Sequence, residues 1–161
     1  MHLMETVYLL LGTNLGDKQK NLQEATLLLG RQVALTRRSS VYRSEAWGGV
    51  ANAEFYNQVL EINTPLHPEE LLAQILSIEK YMGRERKEKW GNRLIDIDIL
   101  LFGNLLVDLP HLQIPHPQLP NRRFALLPLQ ELCPTLVHPV LNRSVQELVA
   151  DCPDQLRVER L

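Results

Sequence analysis

The chain has 161 residues, 45% of them hydrophobic and 22% charged, with a formal net charge of −2. That is enough for one domain with a proper core, read as 1–161, and the near-neutral balance argues against a protein whose main business is gripping nucleic acid or an anionic membrane surface. No apolar run approaches the roughly 20 residues that span a bilayer, and Cys133 and Cys152 suit a reducing compartment better than a disulfide framework or a zinc site.

The start, MHLMETVYLLLGTNLG, lacks a basic region leading to a small-residue cleavage site, so cytoplasm is the expected location. Thr6 to Gly12 is a short apolar run ended by glycine and predicts a first strand. GTNLG has neither the lysine nor the glycine spacing of a phosphate-binding loop or a dinucleotide fingerprint, and reads as a strand-to-helix turn. Leu22, Ala25, Leu28 and Leu29 then recur at helical spacing between Lys18 and Leu29. An extended strand is predicted from Val33 to about Glu45, followed by a glycine-containing loop and a strand from Glu54 to Thr64. Pro65 stops that strand and Pro68 opens a helix, with Leu71, Leu72, Ile75, Ile78 and Met82 on one face and Gly83 at its end.

A charged stretch and another strand complete the order β-α-β-β-α-β, the split pattern of ferredoxin-like α+β sandwiches with a mainly antiparallel sheet. The last third is proline-rich and should not extend the central sheet. Helices near Asn121–Leu132 and Ser144–Ala150 are expected to wrap back over the core as a C-terminal extension.

The last core strand lies in KWGNRLIDIDILLFG. Alternation places Ile95, Ile97, Ile99 and Leu101 on one face and Leu94, Asp96, Asp98, Leu100 and Phe102 on the other. The second face is thus apolar at both ends and acidic in the middle. Two carboxylates about 7 Å apart on a partly buried strand repel each other, and burial raises the cost of ionising both. Divalent cations relieve that strain, and so few hard oxygen donors suit magnesium, which keeps waters and borrows ligands from a substrate phosphate. Upstream, Lys80, Arg84, Arg86, Lys87, Lys89 and Arg93 are opposed only by Glu85 and Glu88. Downstream, IPHPQLPNRRFAL supplies His116, Arg122 and Arg123 from a proline-set loop. Paired acids beside clustered guanidiniums are the parts of a phosphoryl-transfer site, and Trp90 offers a flat stacking surface. Taken singly each has a plain structural explanation: a charge run is most often a solvated face, and acids at i and i+2 can mark a strand end. Their order along one chain is what points to function.

That order also carries a resemblance. LLLGTNLGD, SSVYRSEAWG, FYNQVLEI, PEELLAQILSIEKYMGRER, WGNRLIDIDILLFG and IPHPQLPNRRFALLPL together resemble the 6-hydroxymethyl-7,8-dihydropterin pyrophosphokinase family along nearly the whole chain. The resemblance implies a ferredoxin-like fold and an enzyme that moves pyrophosphate from ATP to the pterin hydroxymethyl group, releasing AMP. Asp96 and Asp98 match the pair that holds two magnesium ions (Mg2+) on the ATP phosphates. Arg84 and Arg86 match catalytic-loop arginines, and Arg93, His116 and Arg122 match phosphate contacts. Glu79, Lys87 and Trp90 fall at positions around the nucleotide. For the pterin, Asn57 matches a ring-edge hydrogen-bonding group and Phe124 a stacking aromatic, with Phe55, Trp90 and Asp96 close by. Ser44, Glu45, Ala46 and Trp47 match the segment that reads the other ring edge. Asn92 stands where the family usually has proline, and Trp47 where a smaller apolar residue is common.

The resemblance also implies a monomer, and the near-neutral charge adds the expectation of no nucleic acid or membrane partner. Two rivals share parts of the pattern. A ferredoxin-like RNA-binding module needs stacked aromatics in a basic-glycine-aromatic motif, which this chain lacks. A non-catalytic small-molecule domain leaves the paired aspartates unexplained. Metal-dependent phosphoester hydrolysis is chemically closer, with water as acceptor.

Overall fold

The computed structural model describes residues 3–45, 54–83 and 94–161. The expectations that fall on Ala46, Trp47, Arg84, Arg86, Lys87, Trp90 and Arg93 therefore lie outside the described residues.

The central strand β1, Glu5–Thr13, is lined by β4, Phe55–Thr64, on one side and by β5, Asp96–Phe102, on the other, both antiparallel. Beyond β4 lie β2, Ala34–Arg38, and β3, Tyr42–Ser44; β8, Val158–Arg160, pairs with β3 at the far edge. A two-stranded ribbon of β6, Val107–Leu109, and β7, Leu112–Ile114, stands apart from this sheet. The ferredoxin-like order survives, with the second of its four core strands split into β2 and β3.

Helices cover both faces. α1, Lys18–Gly30, and α2, Pro68–Tyr81, bury Leu22, Ala25, Leu29, Leu71, Ile75 and Ile78 against Val7, Leu9, Leu11, Leu60 and Ile62 of the sheet. α3, Arg123–Leu132, and α4, Val145–Asp151, bury Ala125, Leu126, Leu129, Val145 and Leu148 against Tyr8, Leu10 and Val59. β1 is consequently buried on both sides, and each fully buried leucine or valine in it contributes about 1.5–3 kcal/mol. Helix starts follow capping chemistry. Lys20 N–H donates to Asp17 Oδ1 at 3.1 Å, and Ser144 and Glu147 form a reciprocal capping box.

Four expectations need correction. Gly12 does not end the first strand; it sits inside β1, paired with Asn57 on one side and Asp96 on the other. The single strand from Val33 to Glu45 is two, because Ser39 interrupts it. Its N–H donates to the Val59 carbonyl, its hydroxyl accepts the Val59 N–H, and its carbonyl accepts from Gln58 Nε2. On β5 the alternation breaks: Tyr8 opposes Leu101 while Leu9 opposes Ile99, a bulge that leaves Leu100 without an opposite number. Leu100 and Leu101 both join the core beneath α3, and Phe102 crosses to the core beneath α1 and α2, away from the aspartate face. Finally, the chain does return to the sheet after the prolines, since the tail beyond Pro153 supplies β8.

Candidate active site

In an antiparallel sheet, directly opposed residues point to the same face. Tyr42 opposes Asn57, Asn57 opposes Gly12, and Gly12 opposes Asp96, so these four make one row across β3, β4, β1 and β5. Asp98 heads the neighbouring row with Leu10 and Val59, both buried beneath α3, so the two rows face the α3 side. Strand spacing puts the backbones carrying Asp96 and Asn57 about 10 Å apart. The residue between them has no side chain.

Asp96 and Asp98 are both half-buried. Ile97 stands between them, pointing to the opposite core, and its backbone N–H donates to Glu79 Oε2 at 2.8 Å. Glu79, only 4% exposed on α2, is thus committed to the strand that carries the aspartates and lies behind them.

The segment from Pro115 to Phe124 arrives over the same face. His116 N–H donates to the Leu100 carbonyl at 3.0 Å, pinning the loop to β5 just past Asp98. Gln118 N–H donates to His116 Nδ1 at 3.1 Å, which leaves the ring proton on Nε2. Burial pushes the His116 imidazole down to about 4, the Arg122 guanidinium acts the same way, and Asp96 opposes them. At neutral pH His116 is therefore an uncharged hydrogen-bond donor. Burial also lowers the proton affinity of Arg122, against the pull of Asp98, Asp96 and Asp154, and the guanidinium keeps its charge. Arg123 N–H donates to Asp154 Oδ2 at 2.9 Å, fixing where α3 begins. At the second residue of α3, the Phe124 ring centroid lies 5.8 Å from the Arg122 guanidinium, and the ring packs on the core beneath α3.

At the other end of the row Asn57 is 2% exposed, and its Nδ2 donates to the Ser44 hydroxyl at 3.1 Å. Phe55, two residues earlier on β4, shares that face, and Glu45 is exposed just beyond β3. The structure thus gathers Asp96, Asp98, His116, Arg122, Phe124, Asn57, Phe55 and Ser44 on one side of the sheet. Sequence reasoning missed Gly12 as a member of the row and the Ser44 hydroxyl as the anchor of Asn57. An isolated glycine within a strand was the available signal for the first, because it marks close approach of a backbone or ligand.

Among the described residues, no three or more His, Cys, Asp and Glu side chains are grouped to hold a metal ion. Two aspartates alone make a hard, sparse donor set. That fits magnesium, whose remaining positions go to water and phosphate oxygens, better than it fits zinc.

The family model for 7,8-dihydro-6-hydroxymethylpterin-pyrophosphokinase (HPPK) matches residues 8–134. The chain belongs to this family. It is 41% identical to the 2-amino-4-hydroxy-6-hydroxymethyldihydropteridine pyrophosphokinase of Aquifex aeolicus, over 89% of this chain and 90% of that one. It is 38% identical to the protein of the same name from Pseudomonas aeruginosa, over 99% of this chain and 98% of that one. Among solved structures, wild-type Plasmodium falciparum HPPK-DHPS with pteroate superposes with a TM-score of 0.74 at 19% identity, covering 94% of this chain. This chain spans 43% of that one, and the likeness carries the fold. Among the described residues no helix is long and apolar enough to cross a membrane.

Proposed function

We propose that the chain transfers the pyrophosphoryl group of ATP to the hydroxymethyl oxygen of 6-hydroxymethyl-7,8-dihydropterin, giving the pterin diphosphate and AMP. The observation that carries this reading is the row itself: a phosphate-handling end at Asp96, Asp98, His116 and Arg122 and a ring-recognising end at Asn57, Ser44, Phe55 and Phe124 share one face, with Gly12 between them.

In the reaction the pterin hydroxymethyl oxygen attacks the β-phosphorus. The bond from that phosphorus to the oxygen bridging the α-phosphate breaks, and AMP leaves with the electron pair. The hydroxyl proton passes to solvent or to a phosphate oxygen. Asp96 and Asp98 are the residues to hold magnesium, which when bound neutralises phosphate charge and acidifies the attacking hydroxyl. Arg122 places a fixed positive charge beside both aspartates. A second phosphate contact is uncharged: the Nε2–H of neutral His116. Asn57, held by Ser44, reads the ring edge, and Phe124 with Phe55 supplies aromatic faces for a flat ring. Alignment and electrostatic stabilisation are the protein's main contributions, as expected for phosphoryl transfer. Arg84, Arg86 and Arg93 are assigned to charge stabilisation, Lys87 and Trp90 to the nucleotide, and Ala46, Trp47 and Trp90 to the pterin pocket. We read the protein as a cytoplasmic monomer.

The test is a product assay with ATP, magnesium and the pterin. Pterin-dependent AMP supports the reading, ADP moves the attack to the γ-phosphorus, and AMP formed equally without pterin makes water the acceptor.

A further inference from the structure

We infer that Gly12 is a positioning residue for the pterin: its missing side chain sets the pose of Asn57 and leaves the floor on which the ring lies. The inference rests on the pyrophosphokinase reading above.

Gly12 lies near the C-terminal end of the central strand, paired with Asn57 of β4 and Asp96 of β5, between the fully buried Leu11 and Thr13. A glycine there weakens a strand, having no side chain to pack and more freedom to lose on folding. Its backbone does not need glycine, since its φ lies outside the left-handed region. The reason is therefore space.

A Cβ at Gly12 would stand 2.9 Å from Asn57 Oδ1 and 3.9 Å from Phe55 Cδ1. The Asn57 amide leans across the neighbouring strand into the volume that a side chain at position 12 would fill. The Ser44 hydroxyl holds the opposite end of that amide at 3.1 Å. Orientation of Asn57 thus depends on two things, an anchor at Ser44 and an empty place at Gly12. The same empty place separates Asn57 from Asp96 within the row. A planar, hydrogen-bonding heterocycle can rest there against backbone, with its edge at Asn57 and its substituent directed toward the aspartates. Any side chain at position 12 turns the amide and raises the floor together.

The clash is with the far end of a side chain, so Gly12→Ala should fold. The expected result is a KM for the pterin raised at least about tenfold, with the KM for ATP changed less than about twofold. Thermal stability should be unchanged or slightly higher. The same substitution in an Asn57→Ala background should raise the pterin KM by a clearly smaller factor, because the displaced amide is already gone and only the raised floor remains. Wild-type pterin KM in Gly12→Ala, an equal rise in the KM for ATP, or the same fold-change in the Asn57→Ala background would each overturn the inference. Equilibrium binding of the pterin in the presence of magnesium and a non-hydrolysable ATP analogue, followed by the pterin's own fluorescence, is measured alongside. Wild-type protein that binds the pterin without turning it over refutes the pyrophosphokinase reading and still tests Gly12 by affinity. Wild-type protein that does not bind it refutes both.

Discussion

Glu79 Oε2 accepts the backbone N–H of Ile97 at 2.8 Å, and Ile97 is the residue between the two aspartates. Among the described residues β5 is an edge strand, with no further strand beside its outward amides. The α2 carboxylate fills that gap and fixes the stretch of backbone from which Asp96 and Asp98 project. Glu79→Ala should cost about 1–3 kcal/mol by leaving a buried amide unsatisfied. It should also lower kcat/KM through misplaced aspartates. Glu79→Gln keeps an acceptor and should retain most of both. Urea unfolding and steady-state kinetics on the two variants check this, and equal losses in both would point instead to a need for the negative charge.

Asp96→Asn and Asp98→Asn preserve shape and remove the donors expected to hold magnesium. Each should lower kcat by about 10²–10³-fold, the range for losing one preorganised charge stabiliser. The melting temperature should hold or rise, since one of two neighbouring carboxylates is gone. Activity and thermal unfolding across a magnesium titration measure both. Full magnesium-dependent activity in either variant would refute the metal assignment.

His138 is 5% exposed, and its Nδ1 accepts the N–H groups of Val140 and Leu141 at 3.2 and 3.1 Å. Burial holds its imidazole below the ordinary value of 6.5. The unfolded chain therefore binds this proton before the folded one does. The stabilisation is complete above the unfolded value of about 6.5 and is lost as pH falls toward the folded value. His138→Asn can keep an acceptor and cannot titrate. Its stability should fall less steeply below pH 6.5, by at most about 1.4 kcal/mol per pH unit for one proton. Urea midpoints between neutral and mildly acidic pH report this, and parallel curves for variant and wild type would contradict it.

Cys133 closes α3, with its Sγ donating to the Leu129 carbonyl, and burial pushes its thiol up to about 11. At pH 8 only about one molecule in a thousand would carry the thiolate that reacts. Iodoacetamide should label Cys133 at least about a hundredfold more slowly in the native protein than in urea, as read by peptide mass mapping. Similar rates in the two conditions would show that the thiol is not held in its buried setting.

What was legible in the sequence divides by the range of the interaction responsible. β1, α1, β4 and α2 follow from local hydrophobic period and from punctuation such as Pro68, whose effect is confined to its own helix. The split between β2 and β3 depends on Ser39 meeting Val59 and Gln58, twenty residues away, and nothing local announces it. The bulge at Leu100 and Leu101 needs β1 as a partner to exist. In the site, Asp96 and Asp98 stood out because acids in an apolar strand demand compensation, and His116 and Arg122 because a proline-set basic loop follows them, while Asn57 and Phe124 gained meaning through family resemblance. The direction of Glu79 was not readable, because a buried glutamate on a helix can face a ligand or a backbone edge equally well. Gly12 read as punctuation. Its significance comes from Asn57 lying across it, a relation set by strand register.

The most direct test is a crystal structure of the protein with 6-hydroxymethyl-7,8-dihydropterin, magnesium and a non-hydrolysable ATP analogue. The pterin should lie over Gly12, its edge at Asn57 and its ring beside Phe124. Metal should sit on Asp96 and Asp98, with the phosphates reaching His116 and Arg122. A pterin bound away from the row of Asn57, Gly12 and Asp96, or phosphates remote from the two aspartates, would contradict the account.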